Sequence, residues 1–173
     1  MSKIIGIVLT LFIFLTCLNL IFVYESFKKD DIREFYLTGE LSEDYTLDEQ
    51  EHMEDVKSVG IFSLFLNFVL FIIFIRQRSK ISSKKVGFYL FVIFGLLVLF
   101  ALFFEKFFYY FHLVFFGSNG WTFPSSSKLI QNFPFEFFRN RFLLFSLLVF
   151  LFGVIFTGWR VIFERFPKKP KRN

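Results

Sequence analysis

Apolar residues gather into four long runs, and the polar residues fall between them. The runs Ile4–Val23, Val59–Ile75, Val86–Phe104 and Phe142–Trp159 approach the ~20 residues that cover a ~30 Å hydrocarbon core. Lipid offers no partner to a backbone N–H or C=O, so each run predicts a helix. The second run is short by itself, and a helix continuing back through Leu47 supplies its missing turns. The pattern therefore predicts an all-α integral membrane protein with four transmembrane helices. At 173 residues the chain is one domain, residues 1–173. The polar pieces are two loops, 24–57 and 105–141, a link, 76–85, and a tail, 160–173.

The bases predict which face is which. The link carries five (Arg76, Arg78, Lys80, Lys84, Lys85) and no acid, and the tail from Arg160 carries six against Glu164. Lys and Arg collect in cytoplasmic connections, so both segments belong inside. Four spans then put both termini in the cytoplasm and both loops on the extracytoplasmic face of a cell membrane. Lys3 agrees. From Glu25 to Asp55 twelve acids stand against three bases. The net charge of +5 is thus a topology signal and not a nucleic-acid-binding face. A cleaved signal peptide competes for the first run, but that run is long and lacks a small-x-small cleavage site.

Composition narrows the chemistry. The 33 phenylalanines supply lipid-facing bulk and no cofactor motif. The spans hold Asn19, Ser63, Asn67, Ser146 and Thr157 but no interior acid or base. Transporters and proton pumps place ionisable groups near the midplane, so transport is disfavoured. Cys17, the single cysteine, sits mid-run as a small buried hydrophobe; Thr16 before it is bulky for a lipoprotein cleavage box. Attention moves to the two loops, which hold the chain's two histidines, His52 and His112. Imidazole exchanges protons near neutral pH without help from its surroundings.

In the first loop, Phe35–Leu41 looks extended, with Thr38-Gly39 at a turn, a pattern compatible with a short β-hairpin. Thr46-Leu47-Asp48-Glu49 then has the spacing of a helix N-cap and its reciprocal partner. A helix starting there carries Glu49, His52 and Asp55 at three-residue steps along roughly one face. Three readings compete. The stretch is a solvated acidic helix start, or Glu49-x-x-His52 ligates a metal, with His112 completing the shell of a membrane lipid hydrolase. In the third, Glu49 or Asp55 orients the His52 ring while His52 moves protons.

The second loop is almost wholly aromatic or aliphatic around His112, through Phe107–Phe116 and then Trp121 and Phe123. Aromatic residues collect at bilayer interfaces, and this many outside the spans predict a loop on or in the outer leaflet. Such a loop makes a greasy pocket suited to acyl chains. Gly117-Ser118-Asn119-Gly120 supplies a turn. No Gly-x-Ser-x-Gly occurs, and Ser125-Ser126-Ser127 reads as loop. An enzyme built here works without a covalent serine intermediate. A non-enzymatic factor that binds lipids or a partner helix is the other class.

Thr46-x-x-Glu49-x-x-His52-Met53-x-Asp55-Val56-Lys57 resembles the first signature of the small four-span lipoprotein intramolecular transacylases of Gram-positive bacteria. Phe111-His112-x-x-Phe115-Phe116, Trp121-x-Phe123, Leu129-Ile130-x-x-Phe133-Pro134 and Phe137-Phe138 resemble the second. The resemblance implies an acyltransferase acting on a diacylglyceryl-cysteine lipoprotein among membrane lipids. It moves the sn-2 acyl chain onto the α-amino group of the same cysteine, giving the lyso form without cofactor, metal or acyl carrier. It implies that His52 and His112 carry catalysis. Glu49, Asp55, Lys57, Trp121, Phe111 and Phe115 are the expected orienting or substrate-binding residues.

Overall fold

The structure is a computed structural model that describes residues 2–77, 82–118 and 120–163. Arg78 and Lys80 of the basic link, Asn119 of the turn and the tail beyond Phe163 lie outside the described residues. Seven helices occur among the described residues: α1 (Ser2–Lys28), α2 (Asp30–Thr38), α3 (Leu47–Gln77), α4 (Ser83–Leu102), α5 (Phe104–Phe116), α6 (Lys128–Asn132) and α7 (Phe135–Phe163). Four are long and apolar enough to cross a membrane: α1, α3, α4 and α7. Each expected run falls on one of these helices, except that Phe103 interrupts the third before its end.

The expected hairpin is not there. Phe35–Thr38 forms the last turn of α2, and Gly39 at φ 90° caps it, its N–H donating to the Phe35 carbonyl at 2.9 Å. The short segment reads as alternating, but Ile32 and Phe35 share a helical face and are both buried. Burying that pair outweighs the weak extended preference of the residues after them. The second loop is also more helical than expected. α5 continues past the third run, and α7 starts at Phe135 rather than Phe142.

α1 is the hub, packing on α3, α4 and α7, while α4 and α7 make the most extensive pair. Leu9, Ile13, Cys17, Val86, Leu90, Leu97, Phe145 and Val149 form the core of this bundle. The few polar residues in the spans join helices. Ser63 Oγ donates to Asn19 Oδ1 at 2.8 Å, and Asn67 Nδ2 donates to Thr16 Oγ1 at 3.1 Å, both between α1 and α3. Large apolar side chains on all four long helices are exposed, as a lipid-contacting bundle requires.

A second, smaller core caps one end of the bundle, where Ile32, Phe35, Tyr45, Met53 and Leu129 meet. Polar ties hold it together. Tyr45 Oη donates to Asp31 Oδ2 at 2.7 Å, and Asn132 Nδ2 donates to Tyr45 Oη at 2.6 Å. Lys29 Nζ donates to the Asn132 carbonyl at 2.6 Å. Below them Arg141 Nε and Glu25 Oε1 pair at 2.8 Å across α7 and α1. The two loops thus converge on one end of the bundle.

Gly87 sets how closely α4 and α7 approach. A Cβ at that position would overlap Thr157 Oγ1 and crowd Thr157 N at 3.0 Å and the Gly153 carbonyl at 3.1 Å. Two of those three neighbours are backbone and cannot rotate away. Gly87→Ala is therefore expected to destabilise the bundle by ~1–3 kcal/mol, measured as a lower Tm in detergent, whereas Gly95→Ala, facing open space, leaves Tm within error or raises it.

Candidate active site

The first turn of α3 is built by its sequence. Thr46 N–H donates to Glu49 Oε2 at 2.8 Å while Glu49 N–H donates back to Thr46 Oγ1 at 3.3 Å, the reciprocal cap that the spacing predicts. The other Glu49 oxygen reaches across the molecule. Oε1 accepts from Leu129 N–H, at the start of α6, at 2.8 Å. Glu49 is 1% exposed. Burial pushes its carboxyl up, but the Leu129 and Thr46 N–H groups and the Thr46 and Ser127 hydroxyls outweigh it and hold the carboxyl below its ordinary range.

His52 lies one turn further along α3 and is buried, with its ring 4.8 Å from Phe116 and 5.7 Å from Phe123. His112 sits on α5, one and two turns after Phe108 and Phe104 on the same buried side. Its Nδ1 is 2.8 Å from the Phe108 carbonyl oxygen. A carbonyl only accepts, so Nδ1 carries the proton and the Nε2 lone pair is free. Gly117, at φ 76°, ends α5 and turns the chain. Trp121 comes back over the site, its Nε1 donating to the Gly117 carbonyl at 2.9 Å and its ring 4.9 Å from that of His112.

The two imidazole centroids are 6.2 Å apart, with planes inclined by 24°. His52 Nδ1 is buried and has no hydrogen-bond partner among the described residues. A buried polar atom left open costs free energy, and at the centre of an aromatic shell it is a place for a ligand atom. Burial, followed by the neighbouring His112, lowers the His52 pKa to about 4 against an opposing pull from Asp55. Burial also lowers that of His112, with the bond to the Phe108 carbonyl opposing. Both rings are neutral near pH 7.

The remaining expected residues divide. Phe111 borders the pair, its ring 5.6 Å from His112. Phe115 packs against Phe111, ring centroids 4.6 Å apart, and lines an apolar groove instead of touching an imidazole. Asp55 is exposed and acts on His52 only through its charge. Each three-residue step lags a helical turn by ~60°, so Asp55 has rotated off the face that buries Glu49. Lys57 Nζ donates to the Phe35 carbonyl at 3.1 Å and lies 4.7 Å from the Phe35 ring; it docks α2 on α3.

Glu49 makes no hydrogen bond to His52. Its oxygens serve Thr46 and Leu129, and the alternative Glu49–His52–His112 metal set does not form. Among the described residues no three His, Cys, Asp or Glu side chains lie close enough to hold an ion. Nothing in the residue pattern marks the Phe108 carbonyl or the Leu129 N–H, since backbone partners leave no residue-type signal. Removing the Glu49 carboxylate leaves buried N–H groups without acceptors. Glu49→Ala is expected to cost ~1–3 kcal/mol and to speed amide exchange at Leu129, both measurable in detergent; unchanged Leu129 exchange would contradict the anchoring role.

Comparison with known proteins bears on these residues. A family model described as lipoprotein intramolecular transacylase Lit matches residues 42–138, more than half of the chain and the stretch that holds both histidines. An uncharacterized protein of Aquifex aeolicus is 36% identical over 121 residues, covering 66% of this chain and 56% of that relative. The chain thus matches little more than half the length of that relative. No solved structure matches the chain. From residue 42 to residue 138 the sequence fits one family, and the chain belongs to the Lit family of lipoprotein intramolecular transacylases.

Proposed function

We propose that the protein transfers the sn-2 acyl chain of a diacylglyceryl-cysteine lipoprotein to the α-amino group of that same cysteine. The observation that carries this reading is the pair of buried neutral imidazoles 6.2 Å apart, one with an open Nδ1. In the reaction, the amine nitrogen attacks the ester carbonyl carbon, an N–C bond forms, and the C–O bond to glycerol breaks. The proton lost by nitrogen ends on the departing glyceryl oxygen. Two imidazoles at this spacing can each reach a substituent of one tetrahedral carbon.

His112 is the better proton acceptor of the two. Its Nδ1–H is held by a carbonyl, which leaves Nε2 basic, and its environment depresses basicity through burial without a second imidazole acting on it. His52, lowered to about 4, is the weaker base and correspondingly the better donor once protonated in the course of the transfer. Carboxylates near it in sequence would favour His52 as the acceptor, but Asp55 is exposed and Glu49 is engaged elsewhere. Positioned acid–base help of this kind contributes ~10²–10⁴-fold. Donor ester and acceptor amine already share one molecule, so holding them in contact contributes ~7–11 kcal/mol more.

Location supports the same reading. At ~1.5 Å per residue, His52 stands ~10 Å beyond the apolar run that starts at Val59, and His112 at most ~12 Å beyond the run that ends at Phe104. That is headgroup depth, where a glyceryl thioether sits. The excess of bases in the link and tail favours an arrangement with both termini inside and the imidazole end outside. Phe111 and Phe115 line a groove of about 520 Å³ with Leu99, Phe100, Phe103 and Phe107, suited to an acyl chain.

Co-expression with a model lipoprotein tests the reaction by mass spectrometry of its N-terminus. The wild type is expected to yield the lyso form, and His52→Ala or His112→Ala to lower conversion by ~10²-fold or more. Undiminished conversion with either variant removes that histidine from the mechanism, and an unmodified N-terminus with the wild type favours a non-enzymatic factor. An ordinary imidazole loses half its basic form near pH 6.5. Lowered pKa values keep both rings basic below that, so the imidazoles are expected to titrate under pH 6.5, apart from the acid limb near ~7.7–8.0 that the substrate's own α-amino group gives kcat/KM. Imidazole titration at or above ~6.5, read from the histidine ring-proton shifts by NMR, would contradict the buried pair.

A further inference from the structure

Two hollows each share an aromatic wall with the imidazole site, and they differ in chemistry. The groove reached across Phe111 is apolar. Across Phe123 lies a cleft of about 490 Å³ between the first turn of α3 and the chain returning from α5. Phe123 belongs to both places, forming part of the cleft wall while its ring stands 5.7 Å from that of His52. Asp44, Asp48, Glu49 and Lys128 are the charged residues of its lining.

Resting on the reaction proposed above, we infer that this cleft holds the peptide following the lipidated cysteine, and that Asp48 makes it favour cationic over acidic residues there. A lipid-anchored peptide has one apolar end and one polar end, joined at the cysteine that must sit between the imidazoles. An acyl chain gains nothing in the polar cleft, and a peptide backbone cannot satisfy its polar groups in the apolar groove. The two ends are assigned by that difference alone.

The cleft wall suits an extended chain. Thr122 and Phe123 lie outside any helix and make no backbone–backbone hydrogen bond to another described residue. Main-chain groups so placed can pair with an extended peptide, a mode that tolerates varied side chains. The charge is less tolerant. Three carboxylates face one ammonium in the lining. Lys128 is already paired with Asp44 at 2.6 Å, and the Glu49 oxygens are taken by Leu129 and Thr46. Asp48 is exposed and in no ion pair with a described residue, so its charge acts on whatever enters.

The test uses two synthetic diacylglyceryl-cysteinyl peptides, one continuing Gly-Lys-Lys and one Gly-Asp-Asp, with the full chain in zwitterionic nanodiscs. Binding is followed by anisotropy of a C-terminal fluorophore and acyl transfer by mass spectrometry. The lysine peptide is expected to bind roughly two- to five-fold tighter, the scale of one exposed ion pair, with less difference at high salt. Asp48→Lys should abolish or reverse the preference. Equal binding of the two peptides, no binding of either, or a preference that survives Asp48→Lys overturns the cleft assignment. Charge-selective binding that Asp48→Lys removes, with no acyl transfer from either peptide, supports the cleft and overturns the reaction.

Discussion

A buried carboxylate must find donors, and Glu49 finds them on two separate segments. Through Thr46 it caps the helix that carries His52, and through the Leu129 N–H it holds the chain that has just returned from His112. The site depends on that double attachment. Without it, the first turn of α3 itself keeps only apolar contacts, which are non-directional, and the return chain is tied by flanking pairs such as Tyr45–Asn132 and Asp44–Lys128. The small core of Ile32, Phe35, Tyr45, Met53 and Leu129 closes around the same point. Lys29 and Lys57 add ties from α2's neighbourhood to α6 and α3. An 8%-exposed imidazole pair can then be held at a fixed distance by segments far apart in sequence.

The spans were legible because lipid leaves the backbone only one local solution, and four apolar runs became four long helices. The cap at Thr46 and Glu49 was equally legible, since it is local and its residue types are specific. What failed were elements outside the bilayer. Phe35–Leu41 looked extended because two apolar contacts, Ile32 and Phe35, are too few to display a helical period. α5 was hidden for the opposite reason. Phe104–Phe116 follows the third run with only Glu105, Lys106, Tyr109 and Tyr110 as a short polar stripe, too brief to set it apart from that span, although Phe104, Phe108 and His112 fall on one side of it.

At the site, the sequence pointed to both histidines because nothing else in the chain offers comparable proton chemistry outside the spans. Their separation was not legible, since it depends on how α5 tilts after the break at Phe103. Nor were the groups that tune them. The proton on His112 Nδ1 is fixed by a main-chain carbonyl, and a main-chain group has no letter in the sequence. Charge spacing on α3 suggested that Glu49 and Asp55 serve His52. Burial decided otherwise, because a buried carboxylate goes where N–H donors are, and here those are the Thr46 and Leu129 amides.

The aromatic shell bears on which nucleophile takes the acyl group. Phe108, Phe116, Phe123 and Trp121 stand within 4.1 to 5.7 Å of one imidazole or the other. Such a wall leaves water few polar partners near the pair, and water needs two to four of them to stay. On the proposed reaction, hydrolysis of the ester would waste the lipid anchor, and an intramolecular amine must win against solvent. Excluding water removes the competitor and also strengthens the hydrogen bonds between imidazole and substrate. The same burial lowers both imidazole pKa values, which keeps a lone pair available but weakens it as a base. The arrangement thus gives up basicity for dryness. That exchange favours a reaction whose acceptor amine is already tethered beside its donor, because proximity supplies what the weak base does not.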